Sequence, residues 1–331
     1  MRREAIMRWL LPVIILVIAL AAVPFANDYI LYVLTIAVLM STLAVSYDVL
    51  LGLTGYLSLA HGFLYGVGAY TAAYLTTNSG WNFWLAMLAA ALMSALIGAI
   101  VALVAFRTKG IYFAVLTLGI GLVGFQFFLV LEPLTGGVGG FVGIPGIPSL
   151  PGLADDPSRN NLVVAIVLLA VTYFAALVFL RSSIGAACLA VREDVTLAQS
   201  LGIRVGTARL AAFTFSSAFA GAAGAVFAAI SNFVGPDDFS VMATGFQVVV
   251  FVVIGGMGTL WGPILGAFLV VCLPEVLRGA ATYSVAIYGI LLLFFILFAP
   301  KGIAGAVLAL RRLLPARPAS VTQTARHSEA R

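Results

Sequence analysis

The sequence predicts an all-α integral membrane protein of about ten transmembrane or re-entrant helices, several of them broken at glycines, with two matching stretches that suggest a parallel internal repeat. Three observations carry this. Of 331 residues 63% are hydrophobic and only 9% charged, whereas a soluble domain carries about 25% charged residues. The apolar residues fall into uncharged runs that approach the roughly 20 residues a bilayer crossing needs. Lys and Arg cluster in alternate loops, as they do when retained on the cytoplasmic side.

Residues 1–8, with Arg2, Arg3 and Arg8, form a cytoplasmic N-terminus. The run 9–26 is the first span. A signal peptide is its rival, given the basic start and small residues at Ala19 and Ala21, but cleavage would put the next positively charged loop outside. Runs 29–47, 57–75, 83–106, 110–131, 162–180, 210–232 and 283–299 follow as spans. The uncharged stretch 239–274 is too long for one helix and is broken by Gly255, Gly256, Gly258, Gly262 and Pro263. Its first piece, 241–254, is short for a crossing, so the stretch is either two tilted spans or a re-entrant hairpin buried in protein. Residues 9–310 thus make one transmembrane domain with a long outer loop at 132–161 and a long inner loop at 181–209. The tail 311–331 has no apolar periodicity, reads as disordered and cytoplasmic, and leaves His327 without a chemical role.

With the N-terminus inside and ten segments alternating, fifteen of the seventeen Lys and Arg lie in the cytoplasm and only Arg159 and Arg278 outside. The outer loops hold Asp28, Glu132, Asp155, Asp156, Asp237, Asp238 and Glu275. The net charge of +5 follows from this sorting and does not imply nucleic acid. Cys188 sits in a charged loop and Cys272 in an apolar run, so a disulfide between them is not expected.

A chain this apolar has no room for an ATP-hydrolysing domain, so its energy must come from an ion gradient or another polypeptide. A gradient-driven secondary transporter is the alternative reading, and it would usually need midplane carboxylates or histidines with partners. Only Asp48, His61 and Glu275 are ionisable within or beside the apolar runs. The spacing reads Asp48 as the cap of a helix break at the inner interface, His61 as a hydrogen-bonded packing residue before a solute contact, and Glu275 as the partner of Arg278 three residues on. A membrane enzyme would need a clustered acid, base, nucleophile or metal set; two His and two Cys, scattered, supply none. No catalytic residue, metal site or cofactor is expected.

The repeat lies in two places. Lys109 to Leu116 matches Lys301 to Leu308 at six of eight positions, and Gly52-Leu53-Thr54-Gly55-Tyr56-Leu57 parallels Gly255-Gly256-Met257-Gly258-Thr259-Leu260. Each glycine motif introduces a helix with small residues at helical spacing, Gly62, Gly66, Ala69 and Ala73 in one and Gly262, Gly266 and Val270 in the other, which permits close backbone approach. Glycine breaks free polar backbone groups that lipid does not tolerate unless they line a cavity. Their polar neighbours Thr54, Ser58, His61, Thr244, Gln247 and Thr259 are therefore the candidate lining of a path for a neutral or zwitterionic solute.

The inner loop carries the most specific signal. Glu193 and Asp194 begin a short helix at its positive end, Leu197 and Leu201 lie one turn apart, and Gly202 ends it. Exposed leucines on a surface helix point to docking of a soluble partner.

At these residues the sequence resembles the membrane permeases of ATP-driven (ABC) importers for branched-chain amino acids, of the LivM type, over about residues 30–310. The resemblance rests on Leu50 to Gly62 with Gly66, Gly68, Tyr70 and Thr71; on Gly110 to Leu118; on Leu134 to Gly137 with Gly143 and Pro145; on Gly185 to Gly202; and on Gly255 to Gly266. The family's Glu-Ala-Ala loop maps onto Glu193 through Gly202 with Ala198 retained, while the second alanine and the downstream leucine-proline are absent; Asp48 stands where relatives tend to have Asn. The resemblance implies a bacterial inner-membrane importer with a second, LivH-type permease, two cytoplasmic ATP-binding subunits and an external solute-binding protein. It makes Glu193, Asp194, Leu197, Ala198, Leu201 and Gly202 an ATPase coupling helix. Asp155, Asp156, Asp237 and Asp238 become a docking surface for the binding protein. Branched-chain amino acids are the implied cargo, with other amino acids, amides, urea or aromatic acids carried by relatives.

Overall fold

A computed structural model describes residues 27–108, 110–150, 156–276, 289, 293 and 302–305. The expected first span, nearly all of the last one, both termini, the tail and Asp155 lie outside the described residues. Eleven helices follow in order: α1 Asp28–Thr54, α2 His61–Thr77, α3 Phe83–Ala105, α4 Ile111–Val130, the short α5 Glu132–Thr135, α6 Pro157–Arg181, α7 Ser183–Glu193, α8 Val195–Ser200, α9 Val205–Ser231, α10 Phe246–Gly255 and α11 Gly262–Val276. Of these, α1, α3, α4, α6 and α9 are long and apolar enough to cross a membrane. The chain is a multi-pass, essentially all-α membrane protein, with one exception in the described residues: β1 Phe141–Val142 pairs antiparallel with β2 Phe233–Val234.

Burial sorts the helices. The strongly buried α1 and α9 form the centre, whereas α3 and α4 present Leu85, Leu88, Leu92, Leu96, Ile111, Val115 and Val123 outward. Such a face suits lipid, where apolar exposure has no aqueous penalty. Small residues bring the central helices close. A Cβ on Gly68 of α2 would overlap the backbone of Gly221 in α9, one on Gly224 would overlap the Tyr65 carbonyl, and one on Gly98 of α3 would overlap Ser217. Exposed Tyr29, Tyr32, Trp81 and Trp84 mark one end of α1 and the α2–α3 turn, as amphipathic rings do at a membrane interface.

Four expected boundaries move, two of them by five residues at the starts of α6 and α9, which begin at Pro157 and Val205 and not at 162 and 210. Helix α1 does not end at Tyr47 but runs through Asp48 and Gly52 to Thr54, and α2 begins at His61 and not at Leu57. Between them residues 55–60 are non-helical because side chains satisfy their backbone. The Tyr47 hydroxyl donates to the Ser58 carbonyl at 2.9 Å and accepts from the Ser58 N–H at 3.0 Å, and the Thr117 hydroxyl accepts from the Leu59 N–H at 3.2 Å. Propensity for helix loses here to specific buried partners.

The second broken region begins at similar depth. A Cβ on Gly121, halfway along α4, would lie 3.1 Å from the Leu59 carbonyl, and one on Gly245 would lie 2.9 Å from the same oxygen. The π turn Val241–Gly245 and α10 therefore start near the middle of the bundle and run toward the end at which α1 stops. Helix α11 runs back until Glu275 accepts a hydrogen bond from the Tyr29 hydroxyl at the start of α1. Glu275 thus finds its partner on α1; Arg278, expected beside it, lies outside the described residues.

Candidate functional site

The two glycine breaks, separated by about 200 residues, lie against one another. A Cβ on Gly52 would stand 2.6 Å from the Gly258 nitrogen, and one on Gly258 would stand 3.1 Å from the Gly52 carbonyl. Asp48 joins them. It sits one turn before Gly52, fully buried, and accepts from the Gly258 N–H at 2.7 Å and the Leu260 N–H at 3.0 Å. Asp48 caps a break as expected, and the break it caps is the second, about 210 residues further along the chain. Backbone donors at 258 and 260 are exposed by φ values of +79° and +60°, and two charge-assisted bonds satisfy them.

The six path candidates form two groups. At the inner end, Thr54 is buried and donates to the Leu50 carbonyl at 2.6 Å, while Thr259 donates to the Gly256 carbonyl at 2.7 Å and accepts from the Gly262 N–H at 3.1 Å. Nearer mid-depth, Ser58, His61 and Thr244 are buried, with Thr244 donating to the Asp238 carbonyl at 2.5 Å. His61 Nε2 lies 2.8 Å from Ser216 Oγ, edge-on to Tyr47. Gln247, half-buried, lies one turn beyond Thr244. Thr54 alone among the six lines a cavity of about 650 Å³ together with Tyr56, Gly110, Val191, Arg192 and Gln199. A second cavity of about 550 Å³, lined by Phe63, Tyr70, Tyr74, Met93, Phe127 and Thr135 among others, is nearly all apolar and touches none of the six.

The loop 181–209 holds two helices where one is expected from the sequence. Glu193 closes α7, and Asp194 is the N-cap of α8, its Oδ1 accepting from the Thr196 and Leu197 N–H groups at 2.7 and 2.9 Å. Bonds from the Gly202 N–H to the Gln199 carbonyl and from the Ile203 N–H to the Ala198 carbonyl, both 3.0 Å, close α8 in a glycine C-cap with φ +80° at Gly202. Ala198 is buried with Val191 and Val205, whereas Leu197 and Leu201 are 59% and 71% exposed. The alanine anchors the helix and the leucines face away.

Asn232, the C-cap of α9, donates to the Ile144 carbonyl at 2.8 Å beside the β1–β2 pair. The loop after α4 is thereby fastened next to the exposed Asp237 and Asp238. Asp156 is committed elsewhere: it caps α6 at the Arg159 N–H and pairs with the Arg159 side chain at 2.8 Å. Asp238 is held above the ordinary carboxylate range by partial burial and by Asp237 beside it.

Two arginines escaped the sequence reading except as counted charges. Arg192, on the last turn of α7, donates to the Gly52 carbonyl. Arg209, buried in α9, holds its guanidinium 4.1 Å from the centre of the Tyr56 ring on the first break. No spacing rule connects residues 140 or 153 positions apart, so neither contact had a signal in the sequence.

Comparison with known proteins places these features in context. The family described as branched-chain amino acid transport system, permease component, matches residues 29–299. The high-affinity branched-chain amino acid transport system permease protein LivM of Escherichia coli (strain K12) is 33% identical over 291 residues, covering 81% of this chain and 68% of that protein. Its counterpart in Salmonella typhimurium is similar to the same extent. The permease protein LivH of Escherichia coli (strain K12) is 25% identical over 281 residues, 80% of this chain and 90% of that protein. No solved structure matches the chain.

Proposed function

This chain belongs to the family of permease components of branched-chain amino acid transport systems, and from that premise we propose how it moves its cargo. It is the permease component of an ABC-type branched-chain amino acid importer, in a family of transport subunits and not of enzymes. It works in the bacterial inner membrane with its termini in the cytoplasm, beside a second permease of the LivH type to which it is related. Two ATP-binding subunits dock from the cytoplasm and a solute-binding protein from outside.

The observation that carries this reading is α8. A helix anchored by buried Ala198, capped at both ends and showing Leu197 and Leu201 to solvent is a rigid apolar knob that suits a cleft on a soluble partner. Its rigidity means that a push from the ATPase moves α7 and α8 together. Above it, the cavity at Thr54 lies on the inner side of the two breaks. The cargo leaves through this vestibule when the breaks part. Ser58, His61, Thr244, Gln247 and Thr259 line the path only in states in which the breaks separate; in the closed arrangement Ser58, Thr244 and Thr259 are hydrogen-bonded within the protein, while the His61 Nδ1 is buried without a hydrogen-bond partner. Asp237, Asp238 and the neighbouring outer loop, with Asp155 and Asp156 at its end, receive the binding protein.

The test is reconstitution of the four kinds of subunit in proteoliposomes with radiolabelled leucine, isoleucine and valine. Uptake that requires ATP on the ATPase side and binding protein on the other is expected. Uptake that follows an imposed proton or sodium gradient without ATP would overturn the reading.

A further inference from the structure

We propose that Arg192 is a positioning residue that joins the cytoplasmic helices to both glycine breaks, so that a displacement of α7 and α8 reaches the two breaks through its side chain. The proposal rests on the reading of α8 as the ATPase dock.

The geometry is that of a junction. Helix α1 ends with Gly55 at φ +75°, whose N–H takes the Leu51 carbonyl at 3.0 Å. The Gly52 carbonyl thus belongs to the last turn, where helix carbonyls lack intrahelical partners and partial negative charge accumulates. Arg192 donates to that oxygen. Its stem passes the first break, since a Cβ on Gly55 would lie 3.5 Å from Arg192 Cγ; its tip lies at the second, since a Cβ on Gly258 would lie 2.8 Å from Nη1. On the far side Asp48 holds Gly258 and Leu260 and attracts the guanidinium. One cation therefore touches the end of α1, the turn before α2 and the loop between α10 and α11.

The other end of the lever is equally defined. Arg192 is followed by Glu193, which closes α7, and by Asp194, the N-cap of α8, and Val191 beside it packs on Ala198 and Val205. A movement of Leu197 and Leu201 cannot leave Arg192 behind without breaking that cluster. Arg192 also lines the vestibule at Thr54. Withdrawal of its side chain would release the Gly52 carbonyl, loosen the packing of Gly52 on Gly258 and widen the exit in one step.

Arg192→Met keeps the stem and removes the donors; Arg192→Lys keeps a charge and one donor but loses the planar fork. In the assembled, reconstituted transporter the first should lower solute moved per ATP about tenfold, within the range usual for coupled sites, with basal ATP hydrolysis retained and partial recovery in the lysine variant. A structural defect alone would lower both activities together. The second readout is thiol labelling of Thr54→Cys, which should change with nucleotide in the parent and stay fixed with Arg192→Met. Wild-type transport per ATP, or labelling that still switches, would overturn the proposal. Should Arg192→Met fail to assemble, Arg192→Lys and Asp48→Asn decide by the same two readouts. Failure of the docking reading is distinguishable, because Leu197→Asp with Leu201→Asp would then leave uptake normal.

Discussion

Single residues explain why the breaks hold their shape and how they can be probed. Tyr47, Thr117 and Asp48 replace missing helical hydrogen bonds at Ser58, Leu59, Gly258 and Leu260, so the non-helical segments are held by specific buried partners. Thr54, Ser58 and Thr244 are all buried, but of the three Thr54 alone lines the cavity of about 650 Å³. Cysteine at 54 should therefore react with a small aqueous maleimide in the resting protein, and cysteine at 58 or 244 should react at least about tenfold more slowly, as expected of groups reached only through an opening of about 1.4 kcal/mol or more. Equal rates at all three would show that the cavity is not the aqueous entrance. The half-buried Cys272 is replaced beforehand, and the other native thiol does not obscure this measurement. Cys188 is free, buried and hydrogen-bonded to the Ala208 carbonyl at 3.3 Å, and burial pushes its thiol up to about 11. Since the thiolate is the nucleophile and a raised value keeps the thiol protonated below it, labelling of Cys188 should be negligible at pH 7 and rise only as the pH approaches that value. Rapid labelling of Cys188 at pH 7 in folded protein would contradict its buried placement.

At the scale of elements, the inner loop and the glycine contacts decide what can move. Leu197→Asp with Leu201→Asp changes two exposed side chains and no packing, so the permease should insert and purify normally while binding-protein-stimulated ATP hydrolysis and uptake fall to background; co-purification of the ATPase measures the loss directly. Gly202→Val forces a β-branched residue into a left-handed conformation, at a cost of about 1–2 kcal/mol, and should weaken the same interaction by fraying α8, which deuterium exchange at residues 195–203 would reveal. The contact between α2 and α9 is a contrasting case. Gly68→Val drives a side chain into the Gly221 backbone, and overpacking of this kind costs about 1–3 kcal/mol. It should lower the thermal midpoint of the detergent-solubilised protein and reduce uptake and ATP hydrolysis together, unlike the loop variants.

At the scale of the whole molecule, Asp237 and Asp238 gather at one end of the described bundle. The β1–β2 pair and Asn232 bind the long outer loop to the end of α9, so that Asp237 and Asp238 stand beside an ordered cap. Complementary charge on a binding protein would raise its association rate in a salt-dependent manner. Neutralising Asp237 and Asp238, with Asp155 and Asp156, should slow docking at low salt and flatten its salt dependence, with basal ATP hydrolysis unchanged. Because Asp156 already caps α6 and holds Arg159, Asp156→Asn alone should matter less than Asp237→Asn with Asp238→Asn. An association rate that keeps its full salt dependence after all four changes would remove electrostatics from the docking step.

What the sequence determined by itself is whatever a linear pattern can encode. Apolar runs separated by charges placed α3, α4, α6 and α9 close to their observed bounds, and Glu193 to Gly202 disclosed a capped helix with exposed leucines, because capping and amphipathicity are properties of neighbours in the chain. The two glycine motifs were legible as breaks for the same reason. What only the tertiary structure decided is where those breaks lie and what satisfies them. Helix α1 outlasts its apolar run because Asp48 finds donors at Gly258 and Leu260, α2 starts late because Tyr47 and Thr117 hold residues 58 and 59, and Arg192 reaches Gly52 across 140 positions. A polar backbone group inside a bilayer must be paired, but any donor or acceptor within reach can pair it, and reach is fixed only by packing.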